Sequence, residues 1–316
     1  MSQSVAWQSE KSTIDRFNAS SRTGLINLAR SVAPGLLERW AFQRFMSPRR
    51  RELPAKDGAL LASARAFDAA LPEGGRVAAW SWGEGPAVLL VHGWEGRATQ
   101  LGGFVEPLVS RGFSVVAFDA PAHGESTGAQ SSLRRFAEAT RAVAARVGPI
   151  EGMIGHSLGG LAVLLALRSG VLASSAVLIA PPSPYAHFIA FGRYLGLAPD
   201  ELSRVKARVE REVRLPFSQV EGSALAAGLL TAGLVIHDRN DREASFDVGS
   251  STAAAWPDAI LHPTEALGHR RIVRDPKVIE TAVSFVARHR LERAESPDLR
   301  RWLDHHAARF EQALSA

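Results

Sequence analysis

The hexapeptide Gly155-His156-Ser157-Leu158-Gly159-Gly160 constrains this chain more than any other feature. Met153-Ile154 lead into it as the end of a short strand, and the apolar run Leu161 to Leu167 leaves it as a buried helix. Strand, sharp turn and helix, with a serine at the apex and glycines on both sides, make a G-x-S-x-G elbow. The turn strains the serine backbone, and a β-carbon at either flanking glycine would meet the neighbouring strand or helix. It lifts the hydroxyl above the sheet, at the positive end of the following helix. In a chain with 27 glycines the pattern alone arises by chance in roughly one sequence of five, so the strand before it and the helix after it carry the assignment.

A serine hydroxyl becomes a nucleophile when a base takes its proton, and a histidine base needs an acid to fix its tautomer. In open parallel sheets the reactive groups sit beyond the carboxyl ends of strands. His269, in Gly268-His269-Arg270-Arg271, follows the expected strand Ala259 to Leu261 and is the best-placed base. His262 is pinned against Pro263, and His237 ends an apolar strand. His123 and His156 belong to turns, and His187, His289, His305 and His306 fall in helical segments. The acid is Asp241, in the loop after the strand Leu234 to His237, with Asp238 as its main competitor. The order Ser, Asp, His along the chain fits an elbow of this type. An oxyanion needs preorganised N–H donors. These are expected from Leu158, directly after the serine, and from Trp94, in the turn after the apolar strand Ala87 to Val91.

Around these residues the chain alternates between strand and helix, as in a mostly parallel sheet with helices on both faces. Residues 1–72 read as an N-terminal helical extension. Leu25, Leu28, Leu36, Leu37, Trp40 and Phe45 recur at helical spacing, and a second helix is expected from Lys56 to Leu71. Residues 73–316 read as the main domain. Strands are expected at Val77 to Trp82, Phe113 to Phe118 and Ala176 to Ala180, and helices at Gln100 to Ser110, Ser132 to Val147, Val248 to Trp256 and Pro276 to Arg288. The alternation stops between about 183 and 231, where only helical segments are found. This insertion should lie over Ser157, and a connection of such length is usually a functional lid. Its first part carries Tyr185, Phe188, Phe191 and Tyr194, which could wall an acyl pocket. Residues 297–316 read as one more amphipathic helix.

Four motifs, in this order, resemble the α/β-hydrolase superfamily. They are His92-Gly93-Trp94, the run Asp119-Ala120-Pro121-Ala122-His123-Gly124-Glu125-Ser126, Gly155-His156-Ser157-Leu158-Gly159, and the paired loops holding Asp241 and Gly268-His269. The resemblance covers about Val77 to Arg288. It implies an α/β-hydrolase fold, a Ser157–Asp241–His269 triad, no cofactor, and a helical cap after the sixth strand. Many members have glycine in place of Ala122 and in place of Asp238. Glu95 sets a carboxylate beside the expected Trp94 donor, where it must be turned away from a developing negative charge.

Composition narrows the function classes. The chain has no cysteine, which excludes disulfides, thiolate nucleophiles and Cys-ligated metals. No H-E-x-x-H pattern occurs, and no metal site is expected. The net charge of +5 comes almost wholly from arginine scattered among acids, with the densest cluster at Arg49-Arg50-Arg51; this reads as a solvated surface rather than a nucleic-acid site. Met1 to Phe17 lacks a signal-peptide core and no stretch is long enough to span a membrane, so a cytoplasmic protein is expected. The expected activity is hydrolysis of a small-molecule carboxylic ester with a short to medium acyl group. Amide, peptide, thioester or carbon–carbon cleavage on the same residues, a non-catalytic binding protein, and a membrane-surface protein anchored by Leu25 to Phe45 are the alternatives.

Overall fold

The computed structural model describes residues 34–295. Apolar runs become central strands, as a sheet covered on both faces requires. Eight strands form one sheet: β1 (Arg65–Ala70), β2 (Arg76–Trp82), β3 (Ala87–Val91), β4 (Ser114–Phe118), β5 (Ile150–His156), β6 (Ala173–Ile179), β7 (Ala232–Asp238) and β8 (Ile260–Thr264). Their spatial order is β1-β2-β4-β3-β5-β6-β7-β8. β2 runs antiparallel to both its neighbours, and every other pair is parallel. Every residue of β3 is buried, in keeping with its place near the middle.

Eleven further labels cover the α-helices that matter for the site: α1 (Pro34–Met46), α2 (Ala55–Ala62), α3 (Val105–Val109), α4 (Leu133–Val147), α5 (Leu158–Arg168), α6 (Pro184–Leu195), α7 (Pro199–Val213), α8 (Phe217–Val220), α9 (Gly222–Ala226), α10 (Phe246–Ala255) and α11 (Gly268–Arg271). A long helix, α12 (Pro276–Glu295), closes the described chain. One face of the sheet packs on α4, α5 and α10 through Phe136, Leu161, Leu164 and Ala253. The other packs on a 3₁₀ segment, Ala98–Phe104, and on α3 and α12 through Leu101, Phe104, Leu108, Val283 and Val286. Helix α4 starts where Ser132 accepts a hydrogen bond from the Arg135 N–H and stops at Gly148, whose φ is +100°.

Two expected helices turn out differently. The span Lys56 to Leu71 is helical only in α2; its second half is strand β1, paired from Arg65↔Ser81 to Ala70↔Arg76. Gly74 and Gly75, both near φ +90°, turn the chain back and allow this pairing. The span Gln100 to Ser110 is a 3₁₀ segment followed by the short α3, with a break at Leu101. His262 lies within β8. Between β6 and β7 the chain forms α6 to α9. Helix α7 presents Val205, Val209 and Val213 inward, and α1 lies on it, with Arg208 over the Phe42 ring at 4.5 Å and Arg204 paired with Glu38 at 2.5 Å. Leu25, Leu28 and the expected helix at 297–316 lie outside the described residues.

Candidate active site

The elbow is built by close approach. Ser157 has φ +52° and ψ −125°, a region that side chains other than glycine rarely occupy. A β-carbon at Gly155 would strike Gly159 and Gly160, and one at Gly159 would fall on the carbonyl oxygens of Val91 and His92. The Ser157 N–H donates to Ile179 O at 2.9 Å, which ties the turn to β6.

Ser157 Oγ lies 2.9 Å from His269 Nε2, and His269 Nδ1 lies 2.8 Å from Asp241 Oδ2. The Asp241 side chain is wholly buried. Its Oδ1 accepts the N–H groups of Glu243 and Ala244 at 2.8 and 2.9 Å. Burial works to raise the Asp241 carboxyl, but bonds from His237, His269 and the Ala244 N–H outweigh it and hold the group well below the ordinary carboxylate range. With Asp241 ionised, the geometry suits a His269 tautomer with the proton on Nδ1 and Nε2 facing Ser157.

Asp238 plays another part. Its buried carboxylate accepts from Thr264 Oγ1 and the Leu267 N–H, both at 2.9 Å, and from the Asn240 N–H at 3.0 Å. It fastens the loop leading to His269 onto the end of β7 and makes no contact with the His269 ring among the described residues. His237, fully buried at the end of the same strand, donates from Nε2 to Ala244 O at 3.0 Å and lies 3.5 Å from Asp241 Oδ2.

His156, within the elbow turn, reaches the base from behind. Its Nε2–H donates to the His269 carbonyl at 2.9 Å, and the two rings lie 4.9 Å apart. Burial, and then the nearby His269, push His156 down to about 3, so it stays neutral. Nothing in its local sequence signals this, because its partner is 113 residues away.

On the other side of Ser157 stands the turn after β3. A β-carbon on Gly93 would lie 3.1 Å from Ser157 Cβ, so this turn touches the elbow. Gly93 N–H donates to Gln100 Oε1 at 2.8 Å, Glu95 N–H to His123 Nε2 at 3.0 Å, and Gly96 N–H to Gly93 O at 2.9 Å. Between them, the Trp94 N–H has no protein acceptor among the described residues. Leu158, the first residue of α5, has no carbonyl within the helix to bond. His92 donates from Nδ1 to Gly93 O at 2.7 Å and accepts the Ala120 N–H on Nε2 at 2.9 Å. Burial pushes His92 down to about 4 and His123 to about 3, so both rings are neutral. Ala122 takes φ +65°, the conformation that glycine adopts freely.

The cap aromatics separate into two environments. Phe188 is fully buried, with Phe45 of α1 at 5.4 Å and Phe217 of α8 at 5.1 Å. Phe191 is half-buried and also packs on Phe45, at 5.0 Å. Tyr185 and Tyr194 are exposed, Tyr185 with its ring 5.7 Å from Phe217. Among the described residues, no group of three or more His, Asp or Glu side chains is placed to share a metal ion.

A family model of the alpha/beta hydrolase family matches residues 88–314, well over half of the sequence. The chain belongs to that family. Over 94 residues this α/β hydrolase is 37% identical to a human serine hydrolase-like protein, a stretch that is 28% of this chain and 46% of the relative. A second human protein, serine hydrolase-like protein 2, matches at the same identity over 30% of its length. The chain thus spans less than half of the curated relatives it matches. Among solved structures, an esterase from Pyrococcus furiosus superposes with a TM-score of 0.59 at 18% identity, covering 77% of this chain and 97% of the other. An esterase from Exiguobacterium antarcticum gives 0.55 at 15% identity, over 70% and 99%. At these identities the likeness is one of fold.

Proposed function

We propose that this α/β hydrolase is a serine hydrolase that cleaves carboxylic esters of short to medium acyl chains through an acyl-serine intermediate. The observation that carries the reading is the unbroken run of hydrogen bonds from Ser157 through His269 to Asp241, at 2.9 and 2.8 Å. In this reading His269 Nε2 takes the Ser157 proton as Oγ attacks the ester carbonyl carbon. The carbonyl electrons move onto oxygen, and the N–H groups of Trp94 and Leu158 hold the resulting oxyanion. Asp241 stabilises the imidazolium that forms. Collapse of the tetrahedral species breaks the bond to the alcohol oxygen, which leaves with the proton from His269 Nε2. Water then repeats the sequence: His269 takes its proton, its oxygen attacks the acyl carbon, and the acyl–Oγ bond breaks as Ser157 recovers a proton.

The same reading gives the cap, residues 183–231, the choice of acyl group. Its helices are between 4 and 15 residues long, which favours a shallow site over a deep tunnel. Phe188 stiffens the cap from within, and Phe191, Tyr185 and Tyr194 keep surface with which to meet substrate. A panel of p-nitrophenyl esters of graded acyl length, run beside an amide analogue on wild type and Ser157→Ala, tests the proposal. Ester turnover that peaks at short or medium acyl length and vanishes in Ser157→Ala is the expected result. Cleavage of the amide with no ester turnover would overturn the substrate class.

A further inference from the structure

The Arg49-Arg50-Arg51 run and Glu95 take no part in the proton transfers above. The run is exposed, as its composition suggests, and it also bonds to the loops around the site. Helix α1 packs on one face of the sheet through Phe42 and Met46, and α2 on the other through Leu60 and Leu61. The chain joining them has to cross from face to face, and its partners show that it crosses the carboxyl end. Met46 O accepts the Ser131 N–H at 2.8 Å, and Arg51 O accepts from the Arg97 guanidinium at 3.1 Å. The Arg50 guanidinium donates to the carbonyl oxygens of His123, Gly124, Ser126 and Gly128, at 3.2, 2.5, 2.7 and 2.8 Å. The Arg49 N–H donates to Glu95 Oε1 at 3.2 Å, and the Arg51 guanidinium lies 3.6 Å from Glu95 Oε2.

Glu95 is therefore held at both ends. Its own N–H is bonded to His123, a residue of the loop that Arg50 grips. Its carboxylate is bonded to the crossing segment. Between these anchors its backbone sits at φ +55°, a conformation that a non-glycine residue keeps only when its surroundings impose it. Trp94 directly precedes it, so the direction of the Trp94 N–H depends on this clamp. The clamp also sets the Glu95 carboxylate against the Arg49 N–H and the Arg51 guanidinium.

We propose that the Arg49–Arg51 segment is a strap that acts through Glu95 to position the Trp94 N–H, making Glu95 a positioning residue of the oxyanion hole. The proposal rests on the reading of Ser157 as nucleophile and Trp94 as donor. It is tested in the full chain with Glu95→Ala, Glu95→Gln and Arg51→Ala. The readouts are kcat and KM on p-nitrophenyl acetate, affinity for phenylboronic acid (which forms a tetrahedral anion on the serine), and the unfolding midpoint. Glu95→Ala is expected to lower kcat by roughly 10- to 100-fold with little change in KM, because a displaced donor is lost only to the transition state. Boronate affinity should fall in parallel. Glu95→Gln, which keeps an acceptor for the Arg49 N–H, should recover most of kcat, and Arg51→Ala should fall between Glu95→Ala and wild type, lowering kcat several-fold. If Glu95→Ala does not fold, Arg51→Ala, an exposed side chain, carries the same test. Wild-type kcat and boronate affinity in a folded Glu95→Ala protein, or no recovery in Glu95→Gln, would overturn the strap. Failure of the underlying mechanism looks different: ester turnover would survive in Ser157→Ala, whatever happens at Glu95.

Discussion

The two sides of Ser157 differ in the groups that touch the reacting residues. On the base side the fixed points are buried carboxylates: Asp241 receives His269, and Asp238 receives Thr264 and the Leu267 N–H. On the other side the groups that touch the turn after β3 are neutral imidazoles: His92 donates to Gly93 O and His123 accepts the Glu95 N–H, while the buried Asp119 carboxylate stands behind them on the Ala98 and Glu125 N–H groups. Each choice suits the charge that the proposed reaction would bring there. A buried carboxylate stabilises an imidazolium, and the same group beside an oxyanion would oppose it. The turn's own carboxylate, Glu95, faces Arg49 and Arg51 instead.

The largest effect belongs to the residue that both sides serve. Ser157→Ala should lower kcat by on the order of 10⁶-fold and abolish labelling by a fluorophosphonate. Wild-type turnover in that variant would remove the reason for both sides.

The base side contains two buried aspartates with different tasks. Asp241→Asn should cost on the order of 10⁴ in kcat, since His269 would lose the acceptor that sets its tautomer. Asp238→Asn should act mainly on the fold, lowering unfolding free energy by roughly 1–3 kcal/mol as loop N–H groups lose their acceptor. An inactive Asp238→Asn beside an active Asp241→Asn would reverse the two assignments.

The neutral imidazoles are tested by acid. His92, His123 and His156 are held at about 4, 3 and 3, chiefly by burial, below the ordinary histidine value of 6.5. From pH 6.5 downward the unfolded chain takes up protons that the folded one refuses. Stability should therefore fall with pH across that window and level off as the folded values are reached, each ring contributing up to about 1.4 kcal/mol per pH unit. Asp241 adds little between pH 7 and 5: a carboxyl held low loses its stabilising effect as pH falls through and below its unfolded value of 3.8. Urea unfolding at pH 7, 6 and 5 measures the slope, and a flat response would mean that burial does not hold these rings neutral.

The cap belongs to neither scaffold, so changes there should spare the chemistry. Phe188→Ala should cost roughly 3–5 kcal/mol of stability, as removal of a buried ring does. Phe191→Ala should shift the preferred acyl length by no more than about 1–3 kcal/mol of discrimination per methylene. An acyl-length profile unchanged in a folded Phe191→Ala protein would take this ring out of the pocket.

Much of the sheet is legible in the sequence because its central strands are continuous apolar runs, as in Ala87 to Val91 and Leu234 to Ile236. The edge is not. Strand β1 reads Arg-Ala-Phe-Asp-Ala-Ala, with Ala69 its one buried residue, and alanine spacing there fits a helix as well as a strand. Its identity comes from pairing with β2, a tertiary fact. At the site, the residue types after each strand point to Ser157, His269 and Asp241, which the fold brings within hydrogen-bond reach. What remains hidden are the contacts that cross the chain. His156 reaches the His269 carbonyl, Asp238 ties down the 265–268 loop, and Arg50 grips backbone oxygens that carry no side-chain signature.

The bond from the Ser157 N–H to Ile179 O has a kinetic consequence. The next rung, from the Ala180 N–H to Ile236 O, continues it to β7. The apex of the elbow thus extends the sheet's own ladder at the end of β5. Such amides exchange with solvent through opening of the whole domain rather than by local fraying. Hydrogen exchange at the Ser157 amide is therefore expected to be as slow as at the amides of the central strands.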